Sequence, residues 1–461
     1  MTANTDIIRR FYDGIYYPVA VILLVFLGHV LELDVLFAAL IALSVIPALL
    51  LCSDLRFLIT PYLSIYFVIG VKDYTPSQTG MAERFLNPAV LTLAAILAVA
   101  LIVAFVLFFK HNAKNANPLH SRALFWSMIL FCCILLTNGV FFANYTPKNL
   151  LFVSSIALPL LVSYLPFALF LRFDRKTFDY FLSVLVLIGL LLSAELLFAY
   201  ATTVRFENGQ IVKESVILGW GVWTNVGCML AMLMPACFYF AHSHRYGWIG
   251  LILGFFEFFC IVLSQSRGAL LVGALALMLC LLILCIGGKN RRFNRVFTAV
   301  VFGLGGVAVL LVSEHLAVLV KSFLQTGFSD NGRFEIWRLG ISNFKRAPIF
   351  GCGFYESYEN PAWDVGVFPH LYHNTVIQLL SSGGVMALLA YLCHRVLSIR
   401  ALFRSPTHGK LFLAVGILSL LAFSLLDVMF FMIYPIMFYS LMLLFMENGS
   451  FEPNSSNFES K

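Results

Sequence analysis

The sequence predicts an all-α polytopic integral membrane protein with about 12–14 transmembrane helices and one large loop on the side away from the cytoplasm. Three observations carry that reading. Apolar residues make up 61% of the 461 residues and charged residues only 11%, where a soluble domain carries roughly 25% charged residues. Apolar runs of about 20 residues, long enough to cross a bilayer, recur along the chain. One long segment, 321–374, is instead polar, charged and aromatic together.

The apolar runs are 15–31, 35–51, 55–71, 88–109, 121–143, 149–171, 178–200, 216–241, 247–265, 268–286, 296–320, 375–397, 411–428 and 430–446. The last pair also reads as one broken helix, and the shorter runs would cross with little tilt or be partly re-entrant. Backbone groups left unsatisfied in lipid are so costly that spans must be helices or closed barrels. These runs are apolar on every face rather than alternating, which excludes a barrel. The organisation that follows is a helical array over 1–320, an outer loop over 321–374, C-terminal helices over 375–446 and a polar tail over 447–461 expected to be disordered. The first span lacks a small-residue cleavage site and reads as a retained anchor. Polar connections at 72–87 and 201–215 fall on the outer side, where they could cover part of a cavity. The sequence shows no internal repeat, which speaks against a transporter built from inverted repeats.

Orientation follows from Lys and Arg. With the N-terminus in the cytoplasm, 19 of the 30 basic residues fall on that side, among them Arg9, Arg10, Arg122, Lys289, Arg292 and Arg395. This is the positive-inside bias. The basic residues that break it cluster in or near the outer loop: Arg267, Lys321, Arg333, Arg338, Lys345 and Arg346. The net charge of +7 is therefore a topology signal, with no nucleic-acid partner implied. Eight of the ten cysteines lie in spans and Cys52 directly follows one, leaving only Cys352 in the loop, so there is neither a disulfide framework nor a C-x-x-C metal pattern. Ionisable residues within or at the ends of spans are His29, Glu32, Glu195, Glu257, Glu314, His315 and Asp427. All but Glu257 sit near outer ends, where a charge is cheaper than at mid-bilayer. Glu257 is deeper and calls for an internal partner.

Ser264-Gln265-Ser266-Arg267-Gly268 interrupts an apolar stretch about twice a bilayer crossing, so the chain must fold back there. Arg267 is thereby held at the outer face, either snorkelling to the interface or binding an anion with its planar two-pronged fork. In the loop, a short helix is expected from 333 to 345 carrying Arg333, Trp337 and Arg338. The two arginines are five residues apart and do not share one helix face well. The loop aromatics suit either membrane anchoring or a platform for sugar faces. Pro348 to Gly353 reads as a turn. Asn374 is a good N-cap for the following span, which sets His373 beside a helix N-terminus whose positive end disfavours imidazolium. A neutral His373 is what a proton acceptor requires, and His370, three residues earlier, is its rival. The loop acids Asp330, Glu335, Glu356, Glu359 and Asp364 are scattered rather than clustered, so no metal is expected.

These residues resemble the bacterial O-antigen ligase and polymerase superfamily of lipid-linked glycan transferases. Its members show a Ser-Arg-Gly turn between two spans, an Arg-x-x-x-Trp opening to a large outer loop, a Pro-x-x-Gly-x-Gly turn, and a His-Asn pair ahead of Gly-x-x-Gly. Here these are Ser266-Arg267-Gly268, Arg333 to Trp337, Pro348 to Gly353, and His373-Asn374 with Gly384, the final Gly being Ala387. The resemblance covers roughly 260–390. It implies a periplasmic loop in a multi-pass protein of the bacterial inner membrane. The implied donor is a glycan on undecaprenyl diphosphate and the implied acceptor a hydroxyl of lipid A–core or of another glycan. Arg267, Arg333 and His373 would be catalytic, with Arg338, Asn374, Trp337, Tyr372 and His370 binding substrate. No cofactor and no metal are implied, and membrane lipids are the surrounding partners. Ligase comes first among the activities. A polymerase joining repeat units and a protein O-oligosaccharyltransferase share the motifs, and a lipid-linked sugar flippase is the alternative from another class.

Overall fold

The computed structural model describes residues 2–70, 87–119, 122–142, 145–207, 210–212, 215–311, 332–354, 371–404 and 406–448. Of the residues singled out in the sequence, Glu314, His315, Lys321, Asp330, Glu356, Glu359, Asp364 and His370 lie outside the described residues, as do nearly all of the 72–87 connection and the 449–461 tail.

The helices in chain order are α1 Thr2–Asp13, α2 Tyr16–Leu31, α3 Asp34–Leu51, α4 Ile59–Ser64, α5 Pro88–Asn112, α6 Ala123–Leu136, α7 Pro147–Phe170, α8 Arg175–Thr202, α9 Trp223–Leu233, α10 Pro235–Ser243, α11 Gly247–Leu263, α12 Arg267–Ile286, α13 Arg291–Leu311, α14 Arg333–Arg346, α15 Thr375–Arg404, α16 His408–Phe423 and α17 Ile433–Asn448. The protein is all-α, with two two-residue hairpins, Phe206–Glu207 with Gln210–Ile211 and Ile217–Leu218 with Gly221–Val222, as its strands among the described residues. Seven helical segments are long and apolar enough to cross a membrane, or eight if Ile7–Asp13 and Tyr16–Leu31, bent by 67°, form one span. Five shorter apolar helices (Arg56–Val68, Ala123–Leu136, Gly247–Leu263, His408–Phe423 and Ile433–Asn448) accompany them. With α13, every apolar run read from the sequence has a helix. The final two are separate helices rather than one broken one, and the segment between them, 424–432, turns in an irregular path.

Two boundaries move. The run expected from 216 begins at Trp223, because Ile217–Val222 forms the second hairpin, and Pro235 divides it into α9 and α10. The run expected over 121–143 stops at Leu136 and gives way to turns. The α9–α10 segment is the most enclosed, 89% of it buried, and α8, α11, α12 and α16 pack around it. At the periphery, only 6% of the span beginning at Pro88 is buried.

The predicted alternation of ends is internally consistent. Residues expected on the cytoplasmic side meet one another: Arg56 with Asp13 at 3.4 Å, Arg122 with Glu447 at 3.5 Å, and the Asn290 amide with the His244 carbonyl at 2.8 Å. At the other ends, the Trp220 indole N–H donates to Glu195 Oε2 at 2.7 Å and the Asn149 amide to Asn138 Oδ1 at 3.0 Å. Glu195 thus has a partner, as a fully buried acid must. Glu257 is fully buried too, with the Cys237 thiol on its Oε1 at 3.3 Å.

Candidate active site

The site is assembled where α12, α15 and the turn after α16 converge at one end of the bundle. Asn374 begins α15 as predicted: its side-chain Oδ1 accepts from the backbone N–H of Val376 at 2.9 Å and of Ile377 at 3.1 Å. Its amide donates to the Leu425 carbonyl at 2.9 Å, and the Thr375 N–H donates to the Ser424 carbonyl at 2.9 Å. The helix start is thereby stitched to the 424–428 turn, and both ends of the Asn374 amide are occupied.

That stitching aims His373 at Asp427. The Nδ1 to Oδ1 distance is 2.9 Å, with the histidine side chain 37% exposed and the aspartate 14%. Burial pushes the Asp427 carboxyl up, but the hydrogen bond and charge of His373, the Val428 N–H and the Arg333 charge together outweigh it and hold the group below its ordinary value of 3.8. An ionised carboxylate only accepts, so Nδ1 carries the proton of this hydrogen bond and Nε2 is the ring nitrogen turned away from Asp427. Among the described residues nothing hydrogen-bonds Nε2. His373 has φ +50°, left-handed backbone that a residue with a Cβ adopts at a cost of about 1–2 kcal/mol.

Gln265 is another of the three non-glycine residues with positive φ among those described, at +59°. It forces the fold-back ahead of α12, where Ser266 Oγ caps the helix by accepting from the Ala269 N–H at 3.3 Å. Arg267 follows on an exposed first turn. The next residue, Gly268, leaves room for the turn that carries Asp427: a Cβ there would stand 3.1 Å from Phe423 and 3.4 Å from Leu426. Arg333, the first residue of α14, is half-buried and within electrostatic reach of Asp427, without an ion pair to it. Arg333 and His373 therefore act on Asp427, and Gly268, the chain neighbour of Arg267, packs against the start of the same turn. Arg338 is exposed on α14.

The loop helix is pinned by what reads as chemistry in the sequence. The Trp337 indole N–H donates to the Tyr372 carbonyl at 2.9 Å. Tyr372 is buried, its hydroxyl accepting from the Asn343 amide and from Ser381 Oγ, both at 2.9 Å. Its place is a brace between α14 and α15, not the open face on which a sugar would stack. Asp427 is the residue whose site role the sequence did not disclose. It stands out there only as an acid between the last two spans, 54 residues from its partner.

The Pro-x-x-Gly-x-Gly turn also has a packing explanation. Residue Gly384 breaks α15 at φ +67°, and the turn docks into that break: Val385 N–H to the Pro348 carbonyl at 2.8 Å, Cys352 N–H to Ser381 at 2.8 Å and Gly353 N–H to Ser382 at 3.0 Å. Phe354 N–H is received by Asn149 Oδ1 at 2.9 Å. At Gly351, φ is +68° and a Cβ would lie 2.2 Å from the Ser382 carbonyl carbon. Gly351→Ala is accordingly expected to fall among the largest point-mutant losses, on the order of 4 kcal/mol. Gly303→Ala, whose Cβ meets nothing within 4 Å, is expected to be neutral or mildly stabilising. Thermal melts of the two variants in detergent check this pair.

Among the described residues, no three His, Cys, Asp or Glu side chains converge as a metal-binding group would. The geometry defines an all-α polytopic membrane protein with an imidazole oriented by a carboxylate at one end of the bundle. Residues 249–392, the stretch bearing Arg267, Arg333 and His373, match the family model Wzy_C, described as O-antigen ligase. The match supports a ligase- or polymerase-type function in general terms. Among curated proteins none matches the chain.

Proposed function

We propose that the protein is an O-antigen ligase-like glycosyltransferase acting at the periplasmic face of the bacterial inner membrane, on a glycan carried by undecaprenyl diphosphate. The observation that carries this reading is the His373–Asp427 pair with Arg333 in electrostatic reach of the carboxylate and the helix start that bears Arg267 packed on the same turn. An acceptor sugar hydroxyl, on lipid A–core, attacks the anomeric carbon. The new C–O bond forms as the bond to the diphosphate oxygen breaks, and the hydroxyl proton passes to His373 Nε2. Asp427 holds the ring and stabilises the imidazolium that results, the general-base arrangement of nucleophile, imidazole and orienting carboxylate. Arg267 and Arg333 neutralise the charge gathering on the departing lipid diphosphate, as preorganised cations do.

Deleting the gene and running surface polysaccharide on a gel tests the reading. Loss of long chains from lipopolysaccharide with free polymer retained is the result expected of a ligase. Single-repeat products would assign a polymerase instead, and an unchanged pattern would remove both. Two further outcomes are expected. A thiol placed by Ser329→Cys should react with an impermeant reagent from the periplasmic side, and labelling only from the cytoplasm would sink the mechanism. Because the chain offers arginines for the diphosphate, purified enzyme should stay active in EDTA, and a full loss restored by Mg²⁺ or Mn²⁺ would overturn leaving-group stabilisation by arginine alone.

A further inference from the structure

Arg395 is a buried cation with no acid beside it among the described residues. The sequence places it in a cytoplasmic loop; the structure instead runs α15 on to Arg404 and leaves Arg395 inside the bundle, 9% exposed, with no ion pair among the described residues. A charge there is costly, and what surrounds it is aromatic. Its guanidinium carbon lies 4.2 Å from the ring centre of Tyr391 and 4.6 Å from those of both Phe430 and Tyr439. One terminal nitrogen donates to the Tyr439 hydroxyl, while Nε and the other terminal nitrogen are buried without a partner. His394 locks the same cage from below, Nδ1 on Ser127 Oγ and Nε2 on the Tyr439 hydroxyl, each at 2.8 Å.

The three rings come from different places. Tyr391 is on α15 and Tyr439 on α17, whereas Phe430 belongs to the turn that carries Asp427. Phe430 sits in a single 3-10 turn, Met429–Phe431, closed by the Phe431 N–H on the Val428 carbonyl at 2.8 Å. The Val428 N–H in turn donates to Asp427 Oδ1 at 2.7 Å, the oxygen that also receives His373. A rigid path therefore runs from the Arg395 cage through Phe430 and Val428 to the carboxylate. Cation–π attraction is strongest when the cation is desolvated, as it is here.

We propose that Arg395 is a positioning residue: it grips Phe430 from within the bundle and so fixes the 427–431 turn at the height where Asp427 meets His373. The proposal rests on the reading of His373 and Asp427 as the working pair of a glycan transferase. Its test is steady-state transfer from undecaprenyl-diphosphate glycan by the purified full-length protein, comparing Arg395→Met, Arg395→Lys, Phe430→Leu, Asp427→Asn and the Arg395→Met/Asp427→Asn double variant, with rates normalised to folded protein by size exclusion and thermal melt. Misplacement by an ångström costs up to roughly 10²-fold, so Arg395→Met and Phe430→Leu should each lower kcat by about 10- to 100-fold with KM for the donor unchanged. Arg395→Lys should recover part of the loss. Because both act through one carboxylate, Arg395→Met should cost less than about twofold further once Asp427 is Asn. Multiplicative losses in the double variant, a rise in KM alone, or a wild-type kcat per folded molecule in Arg395→Met would each overturn it. Wild-type protein that transfers nothing would be a different failure, that of the glycosyltransferase reading itself.

Discussion

His373→Ala is expected to lower glycan transfer by about 10²–10⁴-fold, the usual worth of a general base, with little change in the amount or thermal stability of the protein. The ring is 37% exposed and its bond to Asp427 is what it contributes to packing, so folding has little to lose. Asp427→Asn should also be severe, because an amide nitrogen turned toward Nδ1 no longer enforces the tautomer that leaves Nε2 as the acceptor. His370→Ala should be mild. The assay is transfer in vitro from undecaprenyl-diphosphate glycan. If His370→Ala is dead while His373→Ala works, the base is misassigned by three residues. If both variants work, histidine is not the base, and Glu335, Glu356 and Asp364 become the candidates.

The second large effect is expected at Arg267. Arg267→Ala should reduce turnover by about 10²–10³-fold, comparable to removing one preorganised donor from a developing anion, and Arg333→Ala should fall in the same range. Arg267→Lys is the more discriminating variant. Its point charge keeps the attraction to diphosphate but not the two parallel bonds of a guanidinium, so recovery should be minor. Near-normal turnover with Lys would reduce the role to bulk charge. A melt lowered as much as the activity would make Arg267 a fold-back residue, holding the α11–α12 turn rather than the leaving group.

What the sequence disclosed about this chain was set by how local the physics is. A bilayer-length apolar run needs only its own composition to be helical, and each such run holds helix, though the run from 216 is divided at Pro235. Asn374 was legible as a cap because capping is decided within three residues, and the loop helix at 333–346 was legible for the same reason. Where the sequence failed, contacts were distant. The partner of His373 lies on a different turn, and nothing near Asp427 announces it. Arg395 looked cytoplasmic because a hydropathy window sees only neighbours in sequence, whereas its neutralising rings come from Phe430 and Tyr439. Tyr372 looked like a sugar platform by composition, and its hydroxyl is in fact occupied by Asn343 and Ser381.

The docking of the 348–354 turn into the break at Gly384 has a consequence for how this region tolerates change. Gly353 is tied to Ser382, and the Tyr372 N–H is tied to Gln378 Oε1 at 2.9 Å. The two chain ends bordering 355–370 are thus moored to one short stretch of α15. The entropy of closing a connection between two fixed moorings grows only with the logarithm of its length, on the order of 0.6 kcal/mol per doubling. Changes in chain length between those moorings are therefore expected to draw little on folding stability and to leave the imidazole and its carboxylate in register, because Tyr372 and Gly353 are held from within α15 itself.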